Sequence, residues 1–262
     1  MRAPHWKKWP AGARYGELYK QDPAAARLAA VLVYQMMAVE LVDVGVNVNC
    51  VPLLDIPVAG AHDIIGDRAL STDIKAIIDL GRAVAKGNLL GGVLPVIKHI
   101  PGHGRATADS HVKLPTIGAS RFELEKTDFT TFKALNDLPL AMTGHLLMTD
   151  LDSVHNVSVS KTIISDVIRD YIGFDGLLMS DDLSMEALQG TIGERGRDVV
   201  AAGCDVALYC KGVFEQMVDV AQSVPLLEGK AKRRFDVAMG LIKPPAPFDE
   251  QQAQSLLARL SS

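Results

Sequence analysis

The chain reads as an alternation of two hydrophobic patterns. Continuous apolar runs of strand length recur at 46–56, 93–97, 139–148, 176–179 and 204–210. They lack a polar-out alternation, so each strand is expected to be covered on both faces. Between them lie longer segments with apolar residues at helical spacing. Asp22-Pro23 opens a mostly apolar helix over 24–44, which Gly45 ends. Ser71 or Thr72 caps a helix reaching Gly87, and Ser120 with Glu123 makes a capping box for a helix reaching Asn136. Ser160 caps a helix ending near Gly173, another helix covers 191–202, and the chain beyond Cys210 reads as helical and more polar. Residues 1–20 hold Pro4, Pro10, Gly12 and Gly16 among aromatic and charged residues, which predicts a loop.

Strand and helix alternate roughly every 40 residues, the pattern of a parallel α/β sheet. Strand after strand ends in polar groups: Asp55, Lys98 and His99, His145, Asp181, Lys211. In a barrel all these ends converge on one mouth, whereas an open doubly wound sheet places a glycine fingerprint after its first strand. No such fingerprint follows a strand here. The expected fold is therefore a TIM-type (β/α)8 barrel forming a single domain over 1–262. It is expected to be incomplete at its N-terminus, with about five of the eight strands present.

Composition changes this picture little. The chain has 262 residues, 48% of them hydrophobic, and a net charge of -4, which gives no support to nucleic-acid or membrane binding. No apolar run is read as approaching the roughly 20 residues of a membrane span, and the first residues lack the apolar core of a signal peptide. Cys50, Cys204 and Cys210 are odd in number and lack metal-ligand spacing, so they read as reduced thiols and the protein as cytoplasmic.

The candidate chemistry sits at two strand ends. One is Lys98-His99-Ile100-Pro101-Gly102-His103-Gly104 with its extension Asp109-Ser110-His111; the other is Ser180-Asp181-Asp182. The histidine spacing matches no zinc pattern, and Lys98 opposes a cation, so no metal is expected. His103, between two glycines, reads as a group that fixes the turn. Asp109 two residues before His111 suits a carboxylate that orients an imidazole as proton donor. Asp181 and Asp182 point to opposite sides of an extended strand, so one of them faces the mouth. The other serves as a cap or in a loop ion pair. Neither Ser110 nor Ser180 lies in a nucleophile elbow. Lys98 at a strand end also fits a Schiff-base aldolase, the rival reaction class.

Taken together, KHIPGHGRATADSH at 98–111 and GFDGLLMSDDLSM at 173–185 resemble the bacterial β-N-acetylhexosaminidases of glycoside hydrolase family 3, of the peptidoglycan-recycling type. NVNCVPLLDI, IGDRAL and AMTGHLLMTDLD carry the resemblance over essentially the whole chain. It implies Asp181 as the nucleophile, His111 as general acid/base with Asp109 as its partner, and Arg68, Lys98 and His99 as sugar-binding positions. It also implies a retaining reaction without a cofactor, on a small glycan substrate from muropeptides. The family's D-x-E-G-G-R-V-x-R segment has no match here. A truncated, inactive relative or a glycan-binding remnant is therefore the alternative, and a phosphorolytic variant is a further one.

Overall fold

The computed structural model describes residues 5–106 and 114–261. Seven strands occur among them, β1 (Val48–Asn49), β2 (Leu94–Ile100), β3 (Thr116–Ile117), β4 (Leu140–Thr143), β5 (Leu147–Met148), β6 (Leu177–Asp182) and β7 (Val206–Leu208). Five form one wholly parallel sheet in the order β1-β2-β4-β6-β7, while β3 and β5 pair separately. Each of the five expected runs thus contributes a strand to one curled sheet, but the run at 139–148 splits into β4 and β5, which pair in separate sheets. A closed eight-stranded barrel is not formed by the described residues.

The run at 46–56 pairs as a regular strand over only two residues, but its chain goes on beside β2. Val96 N donates to Val51 O at 2.9 Å, Lys98 N to Pro52 O at 3.1 Å, and Leu54 N to Lys98 O at 2.8 Å. Pro52 has no N–H to give, which interrupts the ladder there.

The helices are α1 (Gly12–Gln21), α2 (Pro23–Asp43), α3 (Ile74–Leu90), α4 (Arg121–Lys126), α5 (Asp128–Ala134), the wide-wound helix Ile163–Tyr171, α6 (Ile192–Ala202), α7 (Phe214–Ser223), α8 (Gly229–Met239) and α9 (Glu250–Ser261). α1 overturns the expected loop. Its two glycines serve close approach: a Cβ on Gly12 would stand 2.3 Å from the Arg68 carbonyl oxygen, and one on Gly16 2.0 Å from that of Leu70. α2 overturns the reading that no apolar stretch reaches membrane-spanning length. It has 21 residues, and an 18-residue window of it averages a hydropathy of 1.6. Ala26, Ala29, Ala30 and Val33 of α2 are nevertheless buried with Tyr15, Leu80 and Leu260, in a core shared by α1, α2, α3 and α9.

Asp73, rather than Ser71 or Thr72, caps α3 by accepting from Ala76 N at 2.8 Å. The single helix expected up to Asn136 breaks at Thr127. There the Thr127 hydroxyl donates to Glu123 O at 2.7 Å and the Asp128 carboxylate turns to Arg105.

The sheet has two dressed faces. Ile97, Ala141 and Leu178 point to one and pack with Phe129, Phe132, Ile164, Ile168 and Val199. Leu94, Val96, Leu140, Met142, Leu177 and Met179 point to the other, where Phe235, Ala238 and Met239 of α8 cover them. The alternation of side chains along each strand makes this division.

Candidate active site

The strand alternation also sets the site. On β2, Lys98 continues the row begun by Leu94 and Val96. On β6, Asp181 continues that of Leu177 and Met179. Both therefore emerge at the C-terminal ends of the two strands that flank β4, on the face that carries α8. His99 follows Lys98 directly and would by alternation face away. The pairing of β2 with β4 slips between Lys98 and Ile100, however, and a bulge of this kind re-aims a side chain. Lys98, His99 and Asp181 consequently line one cavity with Arg68, His103, Ile64, Ile65 and Met185, of about 170 Å3. Arg68 is held there by Nη2 donating to Ile64 O at 2.6 Å. A larger cavity, about 450 Å3, lies between the 154–161 segment and α6 and includes no residue of β2 or β6.

Beneath this cavity is a carboxylate to which the sequence gave no role. Asp55 is fully buried. One of its oxygens accepts from His103 N at 2.7 Å and His99 N at 3.1 Å. The other meets His99 Nδ1 at 2.7 Å. Burial pushes the Asp55 carboxyl up, but the His99 and His103 contacts outweigh it and hold it below the usual carboxylate range. The glycines on either side of His103 let the loop press against this carboxylate. Gly102 has φ +140°, and a Cβ on Gly104 would lie 1.9 Å from Ile56 O. Arg105 then ties the loop to α4 and α5, binding Asp128 and Glu123 at 2.7 Å each.

His103 differs from its sequence reading in one respect. Its main chain fixes the turn, as expected, but its ring lines the cavity and Nδ1 has no hydrogen-bond partner. Burial, with His99 adding to it, pushes its pKa down to about 4, so the ring is neutral at neutral pH.

Asp181 is half-buried, and one of its carboxylate oxygens accepts from Asp182 N at 2.8 Å. Burial raises its pKa, yet His99, His145, that N–H and Lys98 together hold it below the usual range, leaving an anion in the cavity. Asp182 is committed elsewhere, accepting from Ser184 N at 3.0 Å and Cys210 N at 3.1 Å. The Ser180 hydroxyl donates to Asp181 O and accepts from Leu208 N, a structural pairing rather than a nucleophile's. His145 is buried behind the site between Ser158 Oγ, at 2.8 Å, and Asp182 O, at 3.2 Å. Among the described residues no group of three or more His, Cys, Asp or Glu side chains is arranged to hold a metal ion. His111, Asp109 and Ser110 lie outside the described residues.

The sequence singled out Arg68, Lys98, His99 and Asp181, and the fold brings all four to one cavity. It placed Asp55 among the polar strand ends but not its bonds to His99 and His103, and it gave the His103 ring no place in the cavity. An acidic residue closing an otherwise apolar run was the available signal for Asp55.

Comparison with known proteins identifies the family. The profile of the glycosyl hydrolase family 3 N-terminal domain matches residues 20–239. A β-hexosaminidase of Bordetella avium is 35% identical over 205 residues, which are 77% of this chain and 58% of the relative. One of Neisseria meningitidis is 36% identical over 206 residues, 77% and 56% respectively. The chain thus spans less than three-fifths of the length of these curated relatives. Among solved structures, NagZ from Neisseria gonorrhoeae in complex with N-trifluoroacetyl-D-glucosamine superposes with a TM-score of 0.85 at 29% identity, over 99% of this chain and 77% of that one. LpqI of Mycobacterium tuberculosis gives 0.73 at 26% identity, over 90% and 71%. With a family profile matching residues 20–239 and curated relatives 35–36% identical over more than three-quarters of its length, the chain belongs to glycosyl hydrolase family 3.

Proposed function

We propose that the chain carries the catalytic centre of a retaining β-N-acetylhexosaminidase that removes terminal, non-reducing N-acetyl-β-D-hexosamine residues. The observation that carries this reading is the shared cavity of Asp181, Lys98, His99 and Arg68. Its volume is below the roughly 300–1,000 Å3 of ordinary ligand pockets. It suits one sugar ring entering from the open end rather than a length of chain.

In the first step the Asp181 carboxylate attacks the anomeric carbon. The bond to the aglycone oxygen breaks, and His111 gives that oxygen its proton. In the second, water attacks the same carbon and returns a proton to His111, and Asp181 leaves as the carboxylate. Two displacements retain the configuration. Asp109 orients and charges the imidazole, replacing the second carboxylate used by most retaining glycosidases. Arg68, Lys98 and His99 hold hydroxyl groups of the ring, and the negative charge on the Asp181 carboxylate stabilises the oxocarbenium-like transition state of each displacement, on either side of the covalent glycosyl-Asp181 intermediate. The location is cytoplasmic and the substrates are muropeptide fragments, as the resemblance to the peptidoglycan-recycling enzymes implies.

The test is hydrolysis of a chromogenic N-acetyl-β-glucosaminide by the purified chain. Asp181→Asn is expected to lower turnover by at least about three orders of magnitude. A 5-fluoro analogue that slows the second step is expected to leave a sugar on the Asp181 peptide, read by mass. Folded protein that binds the sugar but turns nothing over, with no mass added, makes the chain a glycan-binding remnant.

A further inference from the structure

Asp55 does not line the cavity but lies beneath it, bonded to the main chain and ring of His99 and to the main chain of His103. We propose that Asp55 is a positioning residue. By holding the Nδ1–H of His99 it fixes the ring in the tautomer whose Nε2 is presented, without a proton when neutral, to a sugar hydroxyl. The proposal rests on the reading that the cavity receives a sugar, and deepens it by assigning donor and acceptor roles inside it.

The argument is one of inventory. An ionised carboxylate accepts and never donates. Asp55 is held ionised by the main-chain N–H groups of His99 and His103, which its oxygens accept at 2.7–3.2 Å. At 2.7 Å from Nδ1 it therefore requires a proton on that nitrogen. Only Nε2 is then left to meet a ligand. The same carboxylate accepts the main-chain N–H groups of His99 and His103. Orientation of the ring and course of the loop are thus set by one side chain. The rings of His99 and His103 stand 5.4 Å apart and tilted by 59°, side by side on the cavity wall. Burial of Asp55 excludes water from competing for Nδ1.

Asp55→Asn makes a sharp test because the amide is nearly the same shape. Its oxygen is expected to take the two main-chain N–H groups, so the loop keeps its course. Its NH2 then faces Nδ1 and donates to it, and the ring proton is driven to Nε2. The cavity thereby exchanges an acceptor for a donor.

Long-range 1H–15N spectra of histidine-labelled protein read the tautomer directly, without turnover. In the wild type, the neutral ring of His99 is expected to carry its proton on Nδ1, and in Asp55→Asn on Nε2. Titration with N-acetylglucosamine, followed in the same spectra, is expected to show binding weakened by about tenfold or more in the variant. A wild-type His99 with its proton on Nε2 overturns the assignment even if the variant does not fold. So does a variant with an unchanged tautomer, or one that switches tautomer yet binds the sugar as tightly as the wild type. A wild type that takes up no N-acetylglucosamine is a different failure: it removes the sugar reading of the cavity, while the tautomer measurement still decides what Asp55 does to His99.

Discussion

Individual residues in this cavity are tuned by burial against neighbouring charge, and the tuning has consequences for stability. His103 is held neutral down to about pH 4, whereas an unfolded chain protonates it near 6.5. Above about pH 6.5 the ring is neutral in both states and costs nothing. As pH falls from there towards 4 only the unfolded chain takes up the proton, so the folded state loses ground across that window. His103→Gln is therefore expected to shrink the difference in unfolding free energy between pH 7 and pH 4.5 by about 2–3 kcal/mol, measured by urea unfolding at both pH values. Asp55 works in the opposite range. Its folded carboxyl is held low, so its contribution is present above its unfolded pKa and is lost only as pH falls through the folded one. Lys98, His99 and Asp181 were legible one by one as polar groups ending apolar runs. The ring orientation of His99 was not, because it depends on a carboxylate 44 positions away in the chain.

Elements were legible where local signals decide them. Thr191 and Glu194 form a reciprocal capping box at the start of α6, with Thr191 accepting from Glu194 N and the Glu194 carboxylate accepting from Thr191 N. Thr191→Ala is expected to cost about 1 kcal/mol of stability, read as a shift of the denaturant midpoint at unchanged slope. Signals with two meanings misled. Glycine at 12 and 16 reads as chain-breaking, yet in α1 it allows the helix to lie against the 68–70 backbone. The two meanings predict opposite signs for Gly16→Ala. Helix propensity alone gains about 1 kcal/mol from alanine. A Cβ 2.0 Å from a carbonyl oxygen forces backbone apart, which costs about 1–3 kcal/mol and loosens the packing of Tyr15 and Leu18. A net loss in thermal stability is expected, and a gain would mean that α1 does not lie on that loop.

At the scale of the molecule, the same face of the sheet carries two different coverings. Towards the C-terminal ends of the strands it opens into the Asp181 cavity. Towards their beginnings α8 seals it with Phe235, Ala238 and Met239. Arg234 fastens that helix, binding Asp205 at 2.9 Å and Asp175 at 2.7 Å, with Asp205 itself only 4% exposed in its side chain. Removing one member of a buried pair leaves a charge without its partner. Arg234→Ala is expected to destabilise by about 3 kcal/mol, at the low end for such pairs because Arg169 still holds Asp205. Arg233→Ala, which breaks only an exposed contact to Asp175, is expected to cost under about 1 kcal/mol. Equal effects in chemical unfolding would show that α8 is not fastened through Asp205.

The five apolar runs, the parallel sheet they form and the polar groups that end two of its strands were determined by the sequence itself. Unbroken apolar runs, caps and stop signals act through neighbours within a few positions, and their physics is local. Tertiary structure alone decided three other matters. It laid α8 over one face of the sheet, it re-aimed His99 by a slip in pairing, and it placed Asp55 where its oxygens meet both His99 and His103. Each of these depends on groups distant along the chain and adjacent in space. Their energies come from excluded water and from directional hydrogen bonds formed only once the chain has closed on itself, which no window of sequence contains.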